Sequence, residues 1–84
     1  MLNIMEIISS RLHDKDLVSN EINRLIKDVF NIISKDINYE LSSLKQALKI
    51  LGWEEHILDN YTLELICLYL EGGRKIETYS VNRP

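Results

Sequence analysis

Two small clusters and one cysteine are the places where this chain's side chains could do chemistry. His13, Asp14 and Asp16 stand together in a connection, and His56 lies close to Glu55 and Asp59. His56 and Asp59 are three residues apart and so share a helical face. Two weak ligands do not close a metal site, which needs several at set spacing. A solvated loop and an exposed acidic turn account for both groups. Cys67, as a nucleophile, would want a base beside it and positive surroundings to lower its pKa. Glu64 and Glu71, one turn to either side, act in the opposite direction. A small side chain tucked against packed neighbours is the better account of Cys67. The chain has no Gly-x-Ser-x-Gly, no glycine loop to cradle phosphate and no Ser/His/Asp pattern. The expectation is a non-enzyme, with no catalytic residues, no metal and no cofactor.

Nucleic-acid binding is the most specific alternative. Leu44 to Leu58 has the outline of a helix-turn-helix, with Gly52 at the turn and a second helix starting near Glu54. The charges argue against it. The reading helix would open on Glu54-Glu55 and continue through Asp59 and Glu64, with no Arg or Lys before Arg74. Proteins that grip DNA neutralise phosphates with Lys and Arg. A DNA-binding transcriptional regulator, with basic contacts from Arg74 and Lys75, is therefore the second reading.

These residues must be positioned by helices. Ile and Leu dominate an apolar share of 45% against 27% charged, which places the chain among globular, helix-favouring sequences rather than disordered ones. The first helix is expected from about Leu2 to Leu12, with Ile4, Met5, Ile8 and Leu12 on one side. Asp14 or Asp16 offers a cap for the next. The second, about Leu17 to Ser34, carries Val18, Ile22, Leu25, Val29 and Ile32 at steps of 4, 3, 4 and 3, broadened by Ile26, Phe30 and Ile33. The third begins near Asn38 and repeats the rhythm at Ile37, Leu41, Leu44, Leu48 and Leu51. It stops at Gly52, with Trp53 folding back on the last turn. The fourth covers about Glu54 to Glu71, with a break and cap at Asp59-Asn60, and ends at Gly72-Gly73.

The predicted fold is thus all-α, a small four-helix bundle over residues 1–73 with a tail, 74–84, that is strand-like or disordered. The alternative is three helices plus a β-hairpin wing. In it Thr62 to Leu70 pairs with Lys75 to Val81 across the glycine pair. Against the hairpin, the first arm does not alternate and is mostly Leu.

The last helix is unusual. Asn60, Glu64 and Glu71 fall on one narrow line with Cys67, and every other direction is apolar, so most of its surface has to be covered. If helices one to three make a core and Leu58, Tyr61, Leu65 and Leu68 close it, then Leu63, Ile66 and Leu70 need another cover. Trp53 and Tyr61 would serve as anchors there, and Glu54, Glu55 and Asp59 as an acidic rim. Those eight, Trp53, Glu54, Glu55, Asp59, Tyr61, Leu63, Ile66 and Leu70, are the expected partner-binding set. The partner is a second copy in a homodimer, a larger heterologous complex, or both.

Charge fits that picture. The net charge is −3, and residues 36–71 hold seven acids against two bases, which suits a protein surface better than a phosphate backbone. Cys67 is the single cysteine, so no internal disulfide forms. The first residues have no basic leader and are interrupted by Glu6. No stretch reaches the roughly 18 uncharged residues of a membrane span, so a cytoplasmic protein is expected. The functional expectation is a non-enzymatic interaction module, acting as an inhibitor, adaptor or regulatory subunit. The Ile-, Asn- and Lys-rich composition suggests an AT-rich genome, and small size without chemistry would suit a phage or mobile-element antagonist of a host complex.

Overall fold

Four α-helices and one 3-10 turn make up the computed structural model, which describes residues 3–82, with side chains through residue 72. The helices are α1 (Ile4–His13), α2 (Ser19–Lys35), α3 (Leu41–Ile50) and α4 (Asn60–Asn82), and the 3-10 turn is Glu55–Ile57. No strand occurs among the described residues, so the fold is an all-α four-helix bundle.

The helix ends follow from local chemistry. Asn3 caps α1, its Oδ1 accepting from the Glu6 amide at 2.8 Å. At the other end Leu17 N–H donates to Leu12 C=O and Asp16 N–H to His13 C=O. This is the paired closure of a helix by a left-handed residue. Asp16 supplies that conformation, at φ 68°. It therefore closes α1 rather than capping α2, the role its place in the sequence suggests. Val18 stands at the N-cap of α2, and the Glu21 carboxylate accepts from its amide at 3.0 Å. The same closure recurs after α3, as expected: Gly52 takes φ 106°, its amide donates to Lys49 C=O, and Trp53 N–H reaches back to Leu48 C=O.

Helix α4 departs from expectation at its far end. It runs through Gly72 and Gly73 to Asn82, so residues 74–82 are helical rather than strand-like, and the hairpin wing is not formed. Glycine costs a helix interior only about 1 kcal/mol relative to alanine, which a helix of 23 residues tolerates.

The core gathers Ile8 and Leu12 of α1, Ile22, Leu25, Val29 and Ile33 of α2, Leu44 and Leu48 of α3, and Leu58, Leu63 and Ile66 around α4. Helices α2 and α4 each pack against all three of the others, so α4 is covered from several sides. That placement is why it is apolar in so many directions. It also corrects the expected uncovered face: Leu63 and Ile66 are 0% exposed, and Leu70 packs on the core's edge.

Candidate interaction surface

The eight residues singled out above do not form one surface. Trp53 is 6% exposed; its Nε1 donates to Asp28 Oδ2 at 2.9 Å, and the Arg24 guanidinium sits 4.4 Å over its ring. It locks the end of α3 onto α2 and offers no free anchor. Glu54, just before the 3-10 turn, and Glu55, within it, are exposed, the first beside His56 (3.2 Å) and the second beside Lys49 (3.6 Å). Leu63, Ile66 and Leu70 belong to the interior, as above. Only Tyr61 of the apolar members lies open. It is stacked on one side by Arg11 at 4.5 Å and followed on the same strip by Glu64 and the exposed Leu68.

Asp59 joins helices rather than rimming an interface. Its Oδ2 accepts from the Thr62 amide (3.1 Å) and its Oδ1 from the Thr62 hydroxyl (2.8 Å), which caps α4. Arg11 reaches Asp59 Oδ2 at 3.3 Å and Thr62 Oγ1 at 3.1 Å, and Lys15 Nζ donates to Asp59 Oδ1 and to the His56 carbonyl. Arg11 of α1 and Lys15 of the turn after it thus converge on the first turn of α4. Burial on its own would raise the pKa of Asp59. The hydrogen bonds from Lys15 and from Thr62, with the Lys15 charge, outweigh that and hold the carboxyl well below the usual carboxylate range. Thr62 is fully buried, and these bonds satisfy its hydroxyl.

Cys67 is buried next to Tyr39, between Glu64 and Glu71 on the same line of α4. Burial pushes its thiol up, and Glu71 and Glu64 push the same way against an opposing hydrogen bond from Tyr39. The Tyr39 phenol is raised too, first by burial and then by Cys67 and Glu71. A neutral thiol beside a neutral phenol is packing chemistry, since the reactive form of cysteine is the thiolate. Among the described residues, no three His, Cys, Asp or Glu side chains gather as a metal would require.

The helix-turn-helix outline does not form either. After Gly52 comes a single 3-10 turn, and α4 starts only at Asn60, so no helix projects from Glu54.

Tyr61, Leu68 and Tyr69 stay exposed on α4, and a concave stretch of uncovered apolar surface lies elsewhere, in a groove of 540 Å³ between α2 and α3. Its walls are Ile32, Ala47, Ile50 and Leu51, with Asp28, Asn31 and Lys35 along the α2 side. Ile50 is 84% exposed and Leu51 59%. The sequence placed Leu51 in the inward stripe of α3. Instead the helix ends at Ile50, and the chain turns at Gly52, which swings Leu51 out. Ile50 was the available signal, because it stands outside the 41-44-48 rhythm and has no inward role. Phe30 (on α2) and Ile37 (in the loop before α3) are exposed as well, against their expected place in the core stripes.

No protein family, characterised protein or solved structure matches the chain. Among the described residues no helix is long and apolar enough to cross a membrane.

Proposed function

We propose that this chain works by binding protein, as a small non-enzymatic interaction module in the manner of an inhibitor, adaptor or regulatory subunit. Its contact surface is the α2–α3 groove. One observation carries the reading: two large aliphatic side chains, Ile50 and Leu51, stand in water beside a concave apolar wall. Covering a side chain of that kind is worth roughly 1.5–3 kcal/mol when burial is complete. Clustered apolar groups rimmed by polar ones are the common mark of an interaction site.

The test is capture of binding partners from the chain's native cells, comparing the unmodified protein with Ile50→Glu and Leu51→Glu. Both positions are open to solvent, so the fold stays, and the expected result is loss of the captured species. Undiminished capture by both folded variants would overturn the groove as the contact surface.

A further inference from the structure

We infer that the occupant of the α2–α3 groove is the same groove of a second copy, packed antiparallel about a two-fold axis that passes between Asn31 and Ile32. The inference rests on the groove being an interaction surface, as proposed above, and adds what fills it. Along the exposed edge of α2, Asp28 and Lys35 lie seven residues apart with Asn31 and Ile32 between them. That is two turns of one helical face, about 10.5 Å. The pattern reverses sign about its midpoint. A two-fold axis at that midpoint places Asp28 of each copy opposite Lys35 of the other, and Asn31 opposite Ile32. Self-complementarity of this kind is what a two-fold interface requires, since one patch must serve as both partners.

Size reverses about the same point. The Trp53–Asp28 hydrogen bond anchors the C-terminal end of α3 beside Asp28, so bulky Ile50 and Leu51 stand at the acidic end of the groove. Ala47, one turn earlier, stands toward Lys35. Rotation by two-fold symmetry then brings the bulky end of each copy against the small-residue end of the other. Lys35 makes no ion pair among the described residues, and Asp28 uses only Oδ2 on Trp53, so both charges are available. A heterologous protein could match the groove's oiliness, but nothing would require its charge and size to mirror this chain's own.

Sedimentation of the full chain over a concentration series tests the arrangement. The parent is expected to be dimeric. Lys35→Glu opposes two acids, and Asp28→Lys opposes two bases, so each variant alone should self-associate at least about tenfold more weakly. Mixed in equal amounts, the two variants place opposite charges together at both ends and should recover the parental affinity as a heterodimer. Because Asp28 also holds Trp53, a second measurement stands beside this one. In a Cys67→Ser background, Asn31→Cys should cross-link into a covalent dimer on mild oxidation, whereas Asn23→Cys should not. A monomeric parent, a mixture of folded variants that stays monomeric, or no preference for cross-linking at position 31 would overturn the pairing. Should the parent be monomeric while Ile50→Glu still abolishes capture of another protein, the groove remains the contact surface and only self-pairing falls. Should a dimer form that Ile50→Glu leaves intact, the groove itself is the wrong surface.

Discussion

Asp59 shows how one residue can look like a rim and act as a joint. Its acidity was legible in the sequence, and so was its capping role, because Asp ahead of an apolar helical run is a strong start signal. What the sequence could not show is that Arg11 and Lys15, more than 40 residues earlier, would converge on it. A contact at that separation leaves no trace in local spacing. The pH dependence follows from the sign of its shift. Its folded pKa is depressed, so its contribution is full above the ordinary carboxylate range and is lost as pH falls below about 4. Asp59→Asn keeps a good cap but removes the charge that Lys15 and Arg11 meet. Urea unfolding should therefore find the parent more stable than Asp59→Asn at pH 7, by a modest margin because the carboxylate is partly exposed. The margin should close progressively below pH 4; one that stayed constant down to pH 2 would rule out the charged joint.

At the scale of elements, periodicity located all four helices, because apolar steps of three and four have no other regular reading. The ends were harder. By residue type Gly52 and Gly72 are equal candidates for a helix stop; Gly52 does close α3, whereas Gly72 lies within a helix. The difference is conformational. Gly52 sits at φ 106°, where a Cβ is strained, whereas Gly72 is helical and a Cβ there would meet nothing within 4 Å. Gly52→Ala should accordingly destabilise the chain by about 1 kcal/mol or more. Gly72→Ala should stabilise it by up to about 1 kcal/mol and raise its helix content. Circular dichroism with thermal melting reads both. Destabilisation by Gly72→Ala would mean that the chain turns there, as the hairpin alternative required.

At the scale of the whole molecule, the excess of apolar surface on α4 was legible and its meaning was not. A helix that is oily nearly all round is either a bundle's central element or an exposed binding face, and one-dimensional spacing cannot separate these. Packing separates them: α4 touches all three other helices, so Leu63 and Ile66 close the interior, while Ile50 and Leu51 at the end of α3 stand uncovered beside the groove and α4 keeps only Tyr61, Leu68 and Tyr69 open among its large apolar side chains up to residue 72. The candidate site was therefore less legible than the fold. Spacing marks inward stripes, but which outward apolar residues line a shared groove depends on how two helices lie side by side.

One pair of melts decides whether the binding face lies on the α2–α3 groove or on α4. Ile66→Glu and Ile50→Glu introduce the same charge at positions that the structure places in opposite surroundings. Burying an unpaired carboxylate should cost Ile66→Glu about 4 kcal/mol or more, enough to unfold much of a domain this small. The exposed Ile50→Glu should keep the parental helix signal and lose only association. A folded, fully helical Ile66→Glu that merely dissociates would contradict the account and return the binding face to α4.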